Sequence, residues 1–370
     1  MENDQSLRVL LVAEGSGGHL IPALQVAHEL ALSGARVKVW FAERRKTAPL
    51  ADALIQEFGH ASIEVAAIPM QPHTNLMSRL WQCGQLWSQS QRCFETFAPD
   101  VVVGFGGWVS APVVLAAHQR HIGCMLHEQN VQLGRANRLL ARWADRLAIS
   151  FPETRGFRRG TPSVLTGMPI RRTIRSSTRE QAAPKFGFQP AQPTLLVLGG
   201  SQGARFLNRL LLQTIIGMTP EEQRGWQLLH VTGLDDEQAI RSAYAGHRLR
   251  AFVAPFLTDM SAAYALADVV ISRAGASTIA ELAECAKPAI LIPYPYAGGH
   301  QRANAHLVEN ISGGVVLEEA TVTPERLLGV IRRILGDARL RAKMADQMQR
   351  LAVPDAAVRL RDAITHFHDH

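Results

Sequence analysis

At 370 residues with 47% hydrophobic side chains, the chain exceeds the size at which one core keeps growing, so two domains of about 100–200 residues each are expected. Its 39 Lys and Arg against 32 Asp and Glu leave a net charge of +7, which favours an anionic partner. The absence of a basic block and of any helix-turn-helix, zinc-finger or RNA-recognition signature argues against nucleic acid, and phosphorylated small molecules or an anionic membrane surface fit better.

The first apolar run, residues 9–13, reads as a strand and is followed by Gly15-Ser16-Gly17-Gly18-His19 and an alanine- and leucine-rich helical pattern. The polar residues before it lead straight into this strand, so no signal peptide is expected, and no apolar run approaches the ~18 residues of a membrane span. Strand-like runs recur at 37–41, 63–68, 101–103, 124–127 and 147–150, separated by segments of helical periodicity. Continuous Val, Ile and Leu runs of this kind are the pattern of parallel strands buried on both faces, an α/β class. Cys83, Cys93, Cys124 and Cys285 form no CxxC pair and read as buried free thiols of a reducing compartment.

Residues 166–193 change character, with Arg171, Arg172, Arg175 and Arg179 among four prolines, and read as an interdomain linker and hinge. They separate an expected first domain at 1–165 from a second at 194–345. The second domain opens with a strand at 194–198, the loop Gly199-Gly200-Ser201-Gln202-Gly203-Ala204 and a helix near 205–216, repeating the strand, glycine loop and helix of the N-terminus. Further strands are expected at 227–231, 249–253, 268–272, 289–293 and 315–318. The tail from Pro324 reads as consecutive helices, those of 346–370 able to pack back on the first domain. Two doubly wound halves facing each other hold a ligand in the crevice outside the carboxyl ends of their strands.

A glycine loop between strand and helix offers backbone N–H groups and the positive end of a helix dipole to a phosphate; the simpler reading is a tight turn. The dinucleotide pattern G-x-G-x-x-G fails because its third glycine is Leu20, and no G-x-x-x-x-G-K-[ST] loop exists. His19 falls on the first helical turn, where the dipole and burial would lower its pKa and keep the imidazole neutral, as a general base or as a structural hydrogen-bonding residue. Gly104-Phe105-Gly106-Gly107-Trp108, ahead of a helix beginning near Ser110, permits close backbone approach. His127-Glu128-Gln129-Asn130 puts polar groups on the same sheet edge, or forms only a hydrogen-bonded loop.

In the second half, the segment 273–281 again links strand to helix. Thr278 and Glu281 match a capping box, and the alternative has the helix end taking a pyrophosphate while Glu281 accepts from ribose hydroxyls. The segment 297–304, with Gln301, can contact a sugar through side-chain amides. No D-x-D pair is present, and His366, His368 and His370 read as a polar frayed end, so no metal is expected. Between residues 75 and 97, Leu76, Leu80 and Trp87 recur at helical spacing beside Met77, Trp81 and Leu86, with Arg79 and Arg92 nearby. This stripe is a buried helix face or a membrane-docking surface.

The segments 15–24, 104–112, 127–130, 137–154, 199–208, 274–281 and 300–305 resemble, in order and over nearly the whole chain, the MurG family of peptidoglycan N-acetylglucosaminyltransferases, in glycosyltransferase family 28. The resemblance implies a GT-B fold, with two facing Rossmann-like domains and an interdomain cleft, an N-terminal acceptor and membrane-associating domain, and a C-terminal UDP-sugar domain. It implies inverting transfer of N-acetylglucosamine from UDP-N-acetylglucosamine to the 4-hydroxyl of the N-acetylmuramoyl unit of lipid I, without cofactor or metal, on the cytoplasmic face of the bacterial inner membrane. An anionic membrane surface and proteins of cell-wall synthesis and division are the further partners implied.

Carried over by position, Ser16, Gly17 and Gly18 line the donor phosphate and sugar, Asn130 and Arg171 reach the donor, and Ser201 touches the diphosphate. Leu257 lies beside the uracil, and Gly275, Ala276, Ser277 and Thr278 bind the diphosphate. Ile279 and Ala280 continue that donor segment, Glu281 meets the ribose and Gln301 the N-acetylglucosamine. His19 and Glu128 serve the acceptor hydroxyl. Ser16 stands where the family commonly has threonine and keeps the hydroxyl; Trp108 replaces tyrosine and loses the phenol oxygen; residues 131–135 depart from the usual small-residue run. A UDP-N-acetylglucosamine 2-epimerase and a nucleotide-sugar-binding scaffold without turnover are the competing readings.

Overall fold

The first strand, β1 (Arg8–Glu14), buries every residue from Val9 to Ala13 completely, because helices cover both faces of its sheet. Side chains alternate between those faces: Val9, Leu11 and Ala13 join one hydrophobic cluster, Leu10 and Val12 the other. The computed structural model describes residues 6–15, 17–43, 60–69, 76–199, 205–296 and 298–368. The chain divides into two units, Met1–Arg171 with Val353–His370, and Arg172–Ala352.

In the first unit, β1 is joined by β2 (Arg36–Glu43), β3 (Ile63–Pro69), β4 (Val101–Gly104), β5 (Gly123–Glu128), β6 (Arg146–Ile149) and β7 (Ser163–Leu165), all parallel, in the order β3-β2-β1-β4-β5-β6-β7. The chain runs outward from β1 to β3 and returns on the other side of β1 at β4, so the order reverses between β1 and β4. The loops following these two strands are the two glycine-rich segments, at the point where an open α/β sheet binds its ligand. Helix α1 (Gly17–Leu32) covers one face of the sheet; α2 (Leu76–Thr96) and α3 (Ser110–Gln119) cover the other; α4 (Arg135–Leu140) follows β5.

The second unit repeats the plan. Its strands β8 (Thr194–Leu198), β9 (Gln227–Val231), β10 (Arg250–Ala254), β11 (Val269–Ser272), β12 (Ala289–Leu291) and β13 (Gly314–Val316) are ordered β10-β9-β8-β11-β12-β13, reversing between β8 and β11. Helix α5 (Arg205–Ile216) follows β8, α6 (Ala276–Glu284) follows β11 and α7 (His300–Asn310) follows β12; α8 (Pro324–Gly336) and α9 (Ala338–Gln349) close the unit. The last helix, α10 (Ala356–His368), belongs to the first unit, where Ala357, Leu360, Ala363 and Ile364 bury their helically spaced stripe in the cluster shared with α1. Gly167 is left-handed (φ +82°), and a Cβ there would stand 2.7 Å from the Val353 side chain, so only glycine lets these segments approach.

Three sequence expectations change. The stretch 166–193 is not a free linker: the chain passes between units at 171/172, and beyond it Arg172–Arg175 forms a 3-10 turn and Arg179–Ala182 a helix capped by a Thr178–Gln181 box, both in the second unit. Strand β7 lies just before it in a segment without an apolar run to announce it, since its residues are half-buried or exposed at the sheet edge. The α2 stripe is split. Leu86 is buried and Trp87 packs against the core, whereas Met77, Leu80 and Trp81 are exposed at 73%, 57% and 59%. Trp87 thus leaves the candidate docking patch, and the Leu76 side chain lies outside the described residues. Trp108, 43% exposed, reaches the Sγ of Cys83 on α2 and adjoins what remains. Burial pushes the thiols of Cys124 and Cys285 up to about 12, and all four cysteines are free.

Candidate active site

In the first unit the site grows from the carboxyl ends of β1, β4 and β5. A Cβ on Gly15 would overlap the carbonyl oxygen of Ala42 at the end of β2, so the turn into α1 needs glycine there. Ser16 lies outside the described residues. Gly17, Gly18 and His19 form the first turn of α1, and nothing stands within 4 Å of the position a Gly18 Cβ would take. The β4 loop is tied alongside: Gly106 and Gly107 are left-handed, the Trp108 N–H donates to Glu14 Oε1 (3.1 Å), and Ser110 Oγ donates to the Gly106 carbonyl (2.8 Å). A Cβ at Gly106 would stand 3.6 Å from His19 Nε2 and 3.5 Å from Asn137 Nδ2, which brings the two loops and α4 to one place.

Beneath them lies a buried polar layer from the end of β5. His127 is fully buried with Nε2 3.1 Å from the Gly167 carbonyl, which can only accept, so Nε2 carries the hydrogen. Its Nδ1 then accepts from Gln129 Nε2 (3.3 Å), which also donates to the Phe105 carbonyl (2.7 Å) and so fixes the start of the β4 loop. Burial drives the His127 pKa down to about 4, and the ring is neutral at pH 7. Glu128 is 1% exposed and accepts four hydrogen bonds. The Asn130 N–H and Nδ2 reach Oε1 (2.9 and 3.1 Å), and the Gly134 N–H and Asn137 Nδ2 reach Oε2 (2.9 Å each). This carboxylate holds the 130–137 loop. Asn130 and Arg171 are both half-buried.

In the second unit the corresponding edge carries the other predicted residues. Ser201 lies outside the described residues, but α5 beyond it is anchored: Asn208 donates to the Thr232 carbonyl (3.0 Å) and Asp236 (2.7 Å), and accepts at Oδ1 from His230 Nε2 (3.0 Å). His230 Nδ1 accepts from the Tyr244 hydroxyl (2.9 Å), and burial depresses this imidazole to about 3, so it too is neutral. After β11, α6 starts at Ala276 with Gly275 as its N-cap and no side-chain cap. The expected Thr278–Glu281 capping box is therefore absent: the helix begins too early for it, and Glu281 Oε2 instead accepts from the Tyr264 hydroxyl (2.8 Å). Among the described residues, the first backbone N–H groups of α6, spanning Ala276, Ser277 and Thr278, meet no side-chain acceptor, the arrangement that receives an anion. Ile279 and Ala280 follow on the same helix, with Ile279 buried.

Asn304 on α7 donates to the Ala274 carbonyl (3.1 Å) and steadies this turn, while Gln301 Oε1 accepts from the Tyr294 N–H (2.9 Å). Arg273 donates to the Ile292 carbonyl (3.1 Å) and pairs with Glu319 (2.5 Å), bracing the ends of β11 and β12. Leu257, half-buried, follows β10. Sequence reasoning missed Asn137, Asn208 and Arg273 as anchors, and the Asn304 amide, within the run expected to contact a sugar, is spent on the Ala274 carbonyl; the one available signal was an asparagine or arginine beside apolar residues. Among the described residues no group of three or more His, Cys, Asp or Glu side chains is placed to hold a metal ion.

The family model "Glycosyltransferase family 28 N-terminal domain" matches residues 9–149 and "Glycosyltransferase family 28 C-terminal domain" residues 194–360. A protein of Syntrophotalea carbinolica is 37% identical over 361 residues, 96% of this chain and 97% of that one, and one of Desulfotalea psychrophila is 34% identical over 360 residues, 96% of each. Both are named UDP-N-acetylglucosamine–N-acetylmuramyl-(pentapeptide) pyrophosphoryl-undecaprenol N-acetylglucosamine transferase. The crystal structure of Acinetobacter baumannii MurG superposes with a TM-score of 0.77 at 27% identity, covering 98% of this chain and 99% of that one.

Proposed function

The chain belongs to glycosyltransferase family 28, and from that premise we propose that it moves N-acetylglucosamine from UDP-N-acetylglucosamine to the 4-hydroxyl of the N-acetylmuramoyl unit of lipid I, forming lipid II. The observation that carries the reading is identity of 34–37% across 96% of the chain with transferases of that name. The two parallel-sheet units are those of a GT-B enzyme, and each carries its glycine-rich motifs at the reversal of its strand order.

His19 is assigned as the base. It takes the hydroxyl proton as the acceptor oxygen attacks the anomeric carbon and the bond from that carbon to the diphosphate breaks, inverting the centre. Charge then grows on the departing diphosphate, where the α6 N-terminus at Gly275, Ala276, Ser277 and Thr278 stabilises it, with Ser201, Arg171 and the loop Ser16–Gly18 as further donors. Asn130 reaches the donor sugar, Gln301 its N-acetyl group and Leu257 the uracil. Glu281 takes the ribose hydroxyls while also accepting from the Tyr264 hydroxyl. Glu128 is assigned to holding Asn130 and Asn137, because its carboxylate already accepts four hydrogen bonds.

No helix among the described residues is long and apolar enough to cross a membrane. The exposed Met77, Leu80 and Trp81, with Trp108 beside them, are assigned to peripheral contact with an anionic bilayer carrying the acceptor. Labelled UDP-N-acetylglucosamine with a lipid I analogue tests the reaction: transfer to the acceptor is expected. Release of N-acetylmannosamine from the donor alone would replace this reading with an epimerase, and donor binding without transfer would replace it with a scaffold.

A further inference from the structure

Among the described residues, the polar layer under the first-unit glycine loops leaves one fully buried side-chain oxygen without a hydrogen-bond partner. Both nitrogens of His127 and both oxygens of Glu128 have partners. Asn137, 1% exposed, spends its Nδ2 on the His127 carbonyl (3.1 Å) and Glu128 Oε2 (2.9 Å). Neither partner carries a hydrogen, so the amide cannot be turned over: nitrogen faces this layer and Oδ1 faces away from it. That Oδ1 is buried and has no hydrogen-bond partner among the described residues. An acceptor sealed from water and left unmatched is costly, and in a native fold it calls for a nearby donor able to turn toward it.

His19 is a neighbour of this amide across the Gly106 turn. A Cβ on Gly106 would stand 3.7 Å from Asn137 Oδ1 and 3.6 Å from His19 Nε2, so both atoms border one small space that glycine leaves without a side chain. The chain meets this space with a left-handed φ of +86° at Gly106, a conformation in which side chains are rare. His127 and His19 are also close enough for each to feel the other's charge.

We infer that Asn137 is a positioning residue for His19: its Oδ1 accepts the imidazole Nε2–H, sets the tautomer and leaves Nδ1 as the nitrogen that receives the proton. The identity of that proton, from the acceptor hydroxyl, rests on the transfer proposed above; the pairing does not. As the oxygen–carbon bond forms and the diphosphate leaves, the proton passes to Nδ1, and the imidazolium then carries hydrogens on both nitrogens with the Nε2 one held by Asn137. A neutral amide does this without the strong rise in basicity that a carboxylate partner would impose. The other titratable groups around this space are Glu14 from β1, engaged by the Trp108 N–H, and His127 and Glu128 from β5.

The test is nitrogen-15 NMR of the full chain labelled at histidine, with His19 assigned through loss of its signals in His19→Gln. The neutral ring is expected as the Nε2–H tautomer. In Asn137→Ala it should become a mixture with the Nδ1–H form, with kcat falling about 10-fold or more. KM for UDP-N-acetylglucosamine should stay within about twofold, and the acid limb of the kcat profile should move to lower pH as the partner favouring the charged ring is lost. A wild-type ring in the Nδ1–H form overturns the pairing, and needs no variant to fold. So does an Asn137→Ala enzyme whose tautomer and acid limb match wild type, which would leave Asn137 only a loop-holding role. Correct tautomers in a protein that transfers nothing would instead overturn the proposed reaction.

Discussion

Replacing Glu128 by glutamine separates the two roles open to this residue. The carboxylate presents two acceptor oxygens to four N–H donors, two on each. Glutamine keeps one oxygen and sets an NH2 against the other two donors. Two charge-assisted hydrogen bonds are lost and their donors, half-buried or buried, are left unmatched, so a destabilisation of about 3–5 kcal/mol is expected. For a unit of this size a change of 1 kcal/mol moves the midpoint by about 2–4 °C, giving a fall of roughly 6–20 °C in the transition of the first unit. Differential scanning calorimetry reads this directly, with the transition of the second unit as internal control. Activity at a temperature where the variant is folded should fall modestly, through the loosened Asn130 and Asn137. A midpoint unchanged within about 2 °C, together with a loss of turnover of 100-fold or more, would refute the reasoning and make Glu128 the base.

His19→Ala should lower kcat by about 100-fold or more while UDP-N-acetylglucosamine affinity, read by calorimetry, stays within about twofold; undiminished turnover would remove His19 from the chemistry. The pair Leu80→Glu and Trp81→Glu should reduce cosedimentation with anionic vesicles at an unchanged melting temperature, because both side chains are more than half exposed, and full retention on vesicles would return this patch to an ordinary surface. Burial holds His127 and His230 below the ordinary imidazole value of 6.5, at about 4 and about 3. Between those values and 6.5 the unfolded chain binds more protons than the folded one, so stability is full above pH 6.5 and declines as pH falls. Thermal midpoints at pH 7, 5.5 and 4.5 should show the decline for both units, and His230→Gln should flatten it in the second; equal slopes with and without the substitution would contradict the burial argument.

Elements whose burial is uniform were readable from residues alone. The strand expected at 194–198 and the helix near 205–216 coincide with β8 and α5, because a run such as Thr194–Leu198 has no polar face to offer water and the apolar spacing of 205–216 leaves one stripe to cover. The glycine loops were readable for a related reason: Gly15 and Gly107 stand where a Cβ would strike Ala42 or Glu14, and the crowding leaves its mark on the residue type. Marginal elements left no such mark. Strand β7 is three edge residues, and Trp81 and Trp87, six positions apart on one helix, share a composition yet differ in exposure because only one faces the core. Thr278 and Glu281 had the spacing of a cap, but the position of the N-cap is set by where β11 ends.

From its residue order the chain declared two parallel α/β units, glycine turns after strands, a histidine on the first turn of α1 and a family of sugar transferases. All of these depend on local periodicity, steric demand or motif spacing, which a linear sequence carries. What had to wait for the folded molecule was the fate of each polar atom: four donors on Glu128, the tautomer of His127, and one unmatched oxygen on Asn137 next to His19. Hydrogen bonding is directional and short-ranged, so its pattern depends on distances among β1, β4, β5 and α4 that no spacing along the chain prescribes. The opening loop is thus recognisable by its glycines, whereas the buried amide that we infer orients its histidine lies more than a hundred positions away.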